Sequence, residues 1–429
     1  MSDESREFAT EPVPDERTVS WFRVALVSAM VAFSLPTFLT GIEVAAVSSP
    51  ERAFGMLLVG SIILTLLGSL TGGIGASTRL SSYMLNRIAF GRSGAALVNL
   101  AFAVSLLGWF GVNIDLFSGA VVRLAQDMFQ LAVPAWTVEV FAGLVMTITA
   151  VFGFRAINLL AALLVPVLVL VTYQLIAGSL AATSLDQLME KSVIEQLSFG
   201  DGVSAVVGAI IVGAIILPDI TRFIRHWRGA VYAVAISYLV IELIVMCAGG
   251  IASTALEDRD LLNIMITLGI GWAAFAIVIL GSWVLNSLNL YSTMLSVEST
   301  APALDNKIVV VTLGVLGTVA AFLNILDYFL SFLFYLSIVF VPVSGVIAVD
   351  YLLLRKNAYH EMRIEMEQSV RPLAVGAWLF GACVALIASW GWIALTGIAA
   401  IDAMLTSALS YFLLMRWMSD REMPLTGKA

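Results

Sequence analysis

Long apolar stretches, each of about 20 residues or more, follow one another along almost the whole sequence and constrain its fold more than any other feature. A membrane-spanning helix needs about 20 apolar residues to cross about 30 Å of hydrocarbon. The chain is 60% hydrophobic and only 12% charged, whereas soluble domains carry about 25% charged residues, so polar side chains cannot cover its surface in water. We therefore predict an all-α membrane protein of about 12 transmembrane helices, at residues 21–47, 52–76, 93–125, 136–154, 157–182, 202–221, 229–254, 262–297, 309–325, 327–354, 373–392 and 394–417.

The positive charges test this assignment, because cytoplasmic loops of membrane proteins carry an excess of Lys and Arg. An even number of spans puts both termini on one side, and that side then holds 18 of the 22 Lys and Arg residues. The other side holds Arg52, Arg123, Lys191 and Arg259. A wrong split of one span would reverse every later loop and remove the bias. We therefore predict a multi-pass protein of the cell inner membrane with both termini cytoplasmic.

Two of the predicted spans contain helix breakers near their middles. Span one has Pro36 and Gly41, and span six has Gly208, Gly213 and Pro218. Proline removes a helical hydrogen-bond donor and clashes with the preceding turn. Interrupted helices at matching places in two halves indicate an inverted-repeat transporter, although Gly and Pro are also common in ordinary membrane helices.

The spacing of these two spans predicts a five-plus-five inverted repeat followed by two extra helices, within a single transporter domain. The first residues are polar and acidic and lack the basic start of a signal peptide, so they are expected to be disordered. The predicted parts are a cytoplasmic tail (1–20), the transporter domain (21–418) with repeat one (21–182), repeat two (202–354) and the extra helices (373–417), and a second cytoplasmic tail (419–429).

The sequence contains no motif for catalysis or cofactor binding. HExxH, CxxC, Walker and GxSxG patterns are absent, and Cys247 and Cys383 lie inside apolar stretches, where a thiol more often packs than binds metal. The net charge of −8 argues against nucleic-acid binding, which needs a basic face. We expect no cofactor, metal ion or nucleic-acid partner; a membrane-embedded enzyme or receptor is a remote alternative. The expected partners are a small-molecule substrate and the lipid bilayer, and the expected state is a monomer.

Four strings of residues resemble those of a known transporter family. They are Thr40-Gly41 in span one, Gly108-Trp109-Phe110-Gly111-Val112 in span three, Asp219-Ile220-Thr221-Arg222-Phe223 after span six, and Val341-Pro342-Val343-Ser344-Gly345-Val346 with Asp350-Tyr351-Leu352 in span ten. Together they resemble the cytosine permease branch of the nucleobase–cation symporter (purine/cytosine permease) family, over roughly residues 12–418. The resemblance implies a leucine-transporter-like fold and a secondary active transporter that imports a small nucleobase-like heterocycle by alternating access, with a coupled cation.

The resemblance also implies a substrate site at mid-membrane, between spans one, three, six and eight. It places Trp109 where the family stacks the base on an aromatic ring, a contact worth about 1–3 kcal/mol in base-stacking proteins. It places Asn286 where the family has an asparagine. Ala209 and Ile210 stand where cytosine permeases have serine and phenylalanine, and Ser34 at the break of span one completes the predicted contacts.

Several positions depart from the family's cytosine site. Leu106 stands where a glutamine is expected, and Val284 and Leu285 replace two threonines. A site without a hydrogen-bonding partner rejects a polar substrate group, which argues against cytosine as the substrate. The two missing hydroxyls also remove oxygen ligands, which hard cations prefer. H+ is therefore the suspected coupling ion, and Na+ is the alternative.

Two further asparagines lie within about one helical turn of predicted site residues: Asn113 follows Trp109, and Asn289 follows Asn286. They either replace the lost base-reading groups or bond one helix to another, and the sequence leaves both alternatives open. Asp219 and Arg222 are three residues apart, close enough for a helical ion pair that helps to close the inner side.

Among the acidic residues within the predicted spans, four are singled out as candidates: Glu43, Asp115, Glu242 and Asp402. An ionisable group inside a membrane is costly and is a functional hypothesis by default. Glu43, which follows the break of span one, is the first candidate for proton coupling and Asp115 the second; a hydrogen-bonded structural acid is the alternative for Glu43. Glu242 and Asp402 are expected to pack against neighbouring helices. A transporter of an amine or amino acid on the same fold is the rival function, because Glu43 or Asp115 could meet an amine.

Overall fold

The computed structural model describes residues 11–151, 154–191, 196–272, 281–301, 303–323, 325–361, 369–393 and 395–422. This part of the chain is almost entirely helical, and its one β contact is an isolated parallel bridge between Val19 and Ile224.

The α-helices are α1 (Trp21–Ala32), α2 (Leu35–Ala46), α3 (Pro50–Thr78), α4 (Ser82–Phe129), α5 (Ala135–Val151), α6 (Phe154–Ala182), α7 (Leu185–Met189), α8 (Phe199–Ile215), α9 (Pro218–Thr221), α10 (Trp227–Val234), α11 (Leu243–Leu256), α12 (Leu261–Thr267), α13 (Ser282–Thr300), α14 (Asn306–Ala321), α15 (Phe329–Val349), α16 (Lys356–His360), α17 (Pro372–Ser389) and α18 (Ala399–Glu422). Short 3-10 helices cover Asp15–Arg17 and Ile325–Tyr328, and π-helical segments cover Ala235–Glu242 and Asp350–Leu354.

The described helices agree with the predicted membrane fold. Eight helical stretches, several of them made of consecutive elements, are long and apolar enough to cross a membrane in the described part of the chain, and the bent pair α1 and α2 counts as a ninth when it is taken as one span. The shorter apolar helices α5 and α14 lie where spans four and nine were predicted, and α13 forms the second half of predicted span eight. The first half of that span includes residues 273–280, which lie outside the described residues. The all-α membrane fold is confirmed; the count of twelve and the domain boundaries stay predictions.

Span one is broken between α1 and α2, whose axes differ by 50°. Helix α1 ends at Ala32 and α2 begins at Leu35, with Ser34 in an extended conformation between them. Pro36 stands in the first turn of α2, where its missing N–H removes no helical hydrogen bond. Span six is interrupted without a comparable bend: α8 ends at Ile215, and Pro218 starts the short helix α9. Both predicted interruptions are confirmed.

Glycines let the broken spans pack closely on neighbouring spans. A Cβ added to Gly41 in span one would collide with the main-chain oxygen of Met246 in span seven. A Cβ added to Gly208 in span six would likewise collide with the main-chain oxygen of Leu333 in span ten. Small residues permit this kind of backbone approach in membrane bundles. Spans seven and ten therefore lie directly against the two broken helices.

An N-terminal strap, residues 13–19, crosses one end of the bundle. The main-chain N–H of Val13 donates to the carbonyl oxygen of Arg79 at 3.2 Å, and that of Val19 donates to the carbonyl oxygen of Phe223 at 2.8 Å. The strap thus connects the loop between spans two and three to the segment after span six. We call this the inner end of the bundle.

The opposite end, called the outer end, lies where the chain leaves span one. There the Arg259 side chain donates to the main-chain oxygen of Ala46 at 3.4 Å, and Lys191 forms an ion pair with Glu257 at 2.8 Å. Only part of the predicted disordered tail can be compared with the structure, because residues 1–10 lie outside the described residues. For those residues the disorder stays a prediction.

A fully buried carboxylate holds span ten and the extra helices together at the inner end. Asp350 accepts hydrogen bonds from Arg355 (Nε at 2.9 Å and Nη2 at 2.6 Å), from the hydroxyls of Tyr359 (2.6 Å) and Tyr411 (2.7 Å), and from Arg371 Nη1 (3.4 Å). We call these five residues the inner anchor. Asp350 is an additional membrane-embedded acid that the sequence analysis did not single out.

The inner anchor also reaches the start of span three. Helix α4 bends at Gly91, whose φ of 77° lies in the left-handed region that glycine adopts without steric penalty. The bend takes the preceding carbonyl groups out of the regular helical ladder. Arg355 donates to the carbonyl oxygen of Ile88 at 2.7 Å, and Arg371 donates to that of Ala89 at 3.1 Å. These bonds join spans three, ten and eleven.

Candidate substrate and coupling site

A cavity lies between the two broken spans and the facing sides of spans three, seven and eight. It encloses about 810 Å³ of empty space, counting the part that opens to solvent. Five of the seven predicted substrate residues line it: Ser34, Trp109, Ala209, Ile210 and Asn289. Residues that are far apart in the chain therefore meet around one space in the middle of the bundle.

The cavity extends from this middle region towards the inner end. Ser28 on α1, Asp219 on α9 and Ser292 on α13 line it there, together with Tyr238 of span seven. Ser28 precedes the break of span one, and Asp219 follows the break of span six. Movement of either inner half-helix would change the shape of this part of the cavity.

Trp109 forms an aromatic wall of the cavity. Its ring is 7% exposed and contacts two rings of span ten edge-on: that of Phe332 with centroids 5.4 Å apart and that of Phe329 with centroids 6.2 Å apart. These contacts fix the indole in the bundle while part of it lines the cavity. The arrangement offers a flat substrate a rigid apolar surface.

The break of span one brings hydroxyl groups into the same cavity. The Ser34 and Thr37 hydroxyls are 2.9 Å apart and share a hydrogen bond. Ser34 stands at the N-terminal cap of α2 but makes no side-chain capping bond there. The first N–H groups of a helix have no partner within that helix. This short polar stretch can therefore offer both donors and acceptors to a ligand.

Asn113 and Asn286 are fully buried and bind main-chain groups of span three instead of lining the cavity. The Asn113 amide donates to the carbonyl oxygen of Trp109 at 2.8 Å, and the Asn286 amide donates to that of Phe110 at 2.9 Å. Each keeps a side-chain oxygen for which the described residues supply no hydrogen-bond partner. In this conformation Asn286 links span eight to span three, whereas Asn113 bonds within span three.

The two predicted coupling acids lie outside the cavity. Glu43 is half-buried towards the outer end of α2, near the point where Arg259 contacts Ala46. Asp115 is half-buried in span three and shares its surroundings with two other acids, Asp327 and Glu139. Their role in coupling stays a prediction.

Asp219 is the carboxylate that does line the cavity. Its Oδ1 accepts hydrogen bonds from the main-chain N–H of Ser82 at 2.8 Å and from the Ser82 hydroxyl at 3.0 Å, while no described residue donates to Oδ2. Arg222 Nε donates to the main-chain oxygen of Asp219 at 3.1 Å, whereas the sequence predicted an ion pair between the two side chains. In the sequence, Asp219 directly follows Pro218, where span six restarts. This position is the signal that could have identified Asp219 as a site residue.

Two apolar positions of span eight lie where the family resemblance implied threonines. Val284 is buried, and Leu285 is buried and lines the cavity. Their side chains supply no oxygen to a sodium ion. The described residues also contain no group of three or more His, Cys, Asp or Glu that could hold a metal ion.

Comparison with known sequences identifies the family. Residues 12–414 match the family model described as "permease for cytosine/purines, uracil, thiamine, allantoin". The chain belongs to this family. The resemblance seen in the sequence is thereby confirmed, and the protein is a permease and not an enzyme. The cytosine permease of Escherichia coli K12 is 29% identical over 408 residues, which cover 95% of this chain and 94% of that protein.

Solved structures with similar folds are also transporters. Mhp1, a nucleobase-cation-symport-1 family transporter in a closed conformation with bromovinylhydantoin bound, has a TM-score of 0.79 at 18% identity and covers 97% of this chain and 96% of its own. A Na+-coupled sialic acid symporter has a TM-score of 0.67 at 13% identity and covers 93% of this permease and 90% of its own chain. At these identities the likeness shows the fold, and it confirms the leucine-transporter-like architecture.

Proposed function

We propose that this permease is a secondary active transporter that imports a small nucleobase-like heterocycle by alternating access, driven by a coupled cation. The observation that carries the proposal is the cavity between the broken halves of spans one and six, with Trp109 as its aromatic wall. A flat ring would stack on Trp109, and the hydroxyls at the break of span one would hydrogen-bond to its edge.

The substrate we propose is a heterocycle with few polar groups along one edge. Leu106 and Ala209 give the cavity apolar walls where cytosine permeases are expected to carry glutamine and serine, and the neighbouring Ile210 adds a third apolar side chain. A polar substrate atom facing these walls would lose its hydrogen bonds with water and gain none. Cytosine should therefore be a weaker substrate than a less polar ring.

Asp219 supports a second candidate, a transporter of amines on the same fold. Its Oδ2 has no donor among the described residues, and Asp219 lines a cavity that an ammonium or amidine N–H could enter. The sequence analysis assigned this rival function to Glu43 or Asp115, but the geometry favours Asp219 for it.

For the orientation we propose the cell inner membrane, both termini in the cytoplasm, and a monomer. The 18-to-4 bias of positive charges supports the orientation. Reporter fusions after Glu190 and after Asp258 should report the outside, and a fusion at the C-terminus the inside. A C-terminus found outside would overturn the topology.

The test of function is uptake into proteoliposomes of labelled cytosine, uracil, hypoxanthine, allantoin, benzylhydantoin, thiamine and a simple amine. Each compound is tested with a proton gradient alone, with a sodium gradient alone and with neither. We expect at least one heterocycle to accumulate and cytosine to be a poor substrate. Accumulation of the amine alone would favour the second candidate, and no uptake by the wild type of any heterocycle would overturn the first.

A further inference from the structure

Span seven contains a carboxyl group that the proposed function does not yet use. Glu242 lies in the middle of the Trp227–Leu256 span and is fully buried. No described residue donates a hydrogen bond to either of its carboxyl oxygens. No positive charge offsets its burial, and Tyr238 is its one titratable neighbour in the described part of the chain.

Glu242 lies opposite the break of span one. One turn before it, Tyr238 lines the cavity close to Ser28. One turn after it, the main chain of Met246 packs directly against Gly41 of α2. Residues spaced by about four share one face of a helix. Glu242 is therefore on the face of span seven that packs along span one, from α1 past the break to α2.

The backbone around Glu242 is itself irregular. Residues Ala235–Glu242 form a π-helix, a rare conformation that frequently occurs at functional sites. This segment packs against α1 and α3, whose charged residues, Arg23, Glu51 and Arg52, lie at their ends rather than beside Glu242. The chain thus maintains an unusual turn and an acid without a donor among the described residues beside the bent span one.

A buried carboxylate with neither a counter-charge nor a hydrogen bond is strongly disfavoured, because ionisation requires solvation that this environment lacks. In the conformation described here Glu242 therefore holds a proton. If α1 and α2 shift against span seven, as alternating access requires, water would reach the face that carries Glu242. The neutral acid could then release its proton to water as the carboxylate becomes hydrated.

We propose that Glu242 is the proton-binding site that couples transport to the proton gradient. It takes a proton from water on one side of the membrane, carries it as a neutral carboxyl through the closed conformation, and releases it to water on the other side. This inference rests on the proposed function, since it assigns the coupling step of that transport. It assigns coupling to a residue that the sequence analysis treated as a packing acid.

The test compares Glu242→Gln with the wild type in proteoliposomes, using the labelled heterocycle that the wild type accumulates best. An imposed gradient of about one pH unit supports about tenfold accumulation when one proton moves with one neutral substrate. The wild type should approach this ratio. Glu242→Gln should not accumulate substrate in response to the pH gradient. It should still exchange internal for external substrate, because glutamine imitates the neutral acid. Retained exchange also shows that the variant is folded.

The matched control is Asp402→Asn, which changes another buried membrane acid. Asp402 accepts hydrogen bonds from the main-chain N–H of Thr396 at 3.0 Å and from the Thr396 hydroxyl, so it is a satisfied structural carboxylate. This control should keep the tenfold accumulation. Accumulation by Glu242→Gln equal to that of the wild type, or wild-type accumulation driven by sodium and indifferent to pH, would overturn the proposal.

A second measurement needs no substrate and therefore separates failure of this inference from failure of the proposed function. The infrared spectrum of the wild type at neutral pH should contain the carbonyl band of one protonated carboxyl group. The spectrum of Glu242→Gln should lack this band, so the difference between the two spectra isolates it. If no heterocycle is transported, this band still tests the protonation of Glu242. Its absence from the wild type would overturn the inference even where uptake is observed. Should Glu242→Gln fail to fold, Glu242→Asp, which keeps the acid, must keep pH-driven accumulation.

Discussion

Two regions of this permease bury a carboxyl group completely, and they treat it in opposite ways. In the inner anchor, Asp350 accepts hydrogen bonds from two arginines and two tyrosines. In span seven, Glu242 has no donor among the described residues. Both acids belong to π-helical segments, and both are equally hidden from solvent. The comparison teaches that partners, and not burial, distinguish a carboxylate that holds helices together from one that can change its charge.

Loss of the inner anchor should have the largest effect on stability. Asp350→Ala leaves Arg355 and Arg371 partly buried without their anion, and breaking a buried pair costs about 3–5 kcal/mol. We expect a much lower thermal midpoint, or no folded protein, in detergent-solubilised samples followed by fluorescence-detected size exclusion. Glu242→Gln, which removes no partner, should shift the midpoint less. Equal shifts for the two variants would break the comparison.

Trp109→Ala should have the next largest effect. It should weaken substrate binding and leave the inner anchor intact. Loss of stacking weakens substrate binding by about 1–3 kcal/mol, or about 5-fold to 150-fold in Kd, while Trp109→Phe should be milder. Equilibrium binding of the transported heterocycle measures the change. Trp390→Ala is the matched control, because Trp390 is 58% exposed and lies outside the cavity. An unchanged Kd in Trp109→Ala would show that the indole only packs on Phe332.

Glu43→Gln sharpens the comparison by testing the carboxyl group that the sequence put forward first. Because Glu43 lies towards the outer end and outside the cavity, we expect it to keep the proton-driven accumulation that Glu242→Gln loses. Both variants are measured in the same proteoliposome assay. Loss of accumulation in Glu43→Gln, with Glu242→Gln unaffected, would return the coupling role to Glu43.

The smallest effect is expected for a carboxylate that has a partner but is exposed. The hydrogen bond and the charge of Lys191 lower the pKa of Glu257 in the outer loops. A lowered pKa in the folded state means that the pair stabilises the protein above the ordinary pKa of glutamate, and that this contribution is lost as pH falls through the lower folded value. Since solvent screens the pair, Glu257→Gln should barely change the thermal midpoint at about pH 7, and the remaining difference between the two proteins should disappear once the pH falls below the lowered folded pKa. A large shift of the thermal midpoint at neutral pH would show that exposure to solvent does not make this ion pair weak.

The sequence predicted the helical membrane fold and both interruptions because these depend on local chemistry. Twenty apolar residues select a spanning helix wherever they occur, and Pro36 and Pro218 stop a helix whatever surrounds them. The motif around Trp109 also indicated which residue forms the aromatic wall of the cavity. These features required no knowledge of how one span is rotated against another.

The features that the sequence missed depend on that rotation. Asn113 is one turn from Trp109, yet its amide turns to the Trp109 carbonyl instead of the cavity. Asp350 has partners up to 61 residues away, on helices whose docking no local pattern specifies. The sequence also cannot show that a buried group such as Glu242 lacks a hydrogen-bond donor among the described residues.

The N-terminal strap has a consequence for how the protein is made. Val19 leaves the ribosome about 200 residues before Phe223, to which its N–H is bonded, and at about 5–20 residues per second that interval is about 10–40 s. During that interval the strap can contact Arg79 but not Phe223. The second contact can form only after six spans have been inserted, so it marks the moment when the first broken helix and its counterpart are both in the bilayer. A truncation there should leave early membrane insertion intact and increase degradation of nearly finished chains, which pulse-chase labelling can time.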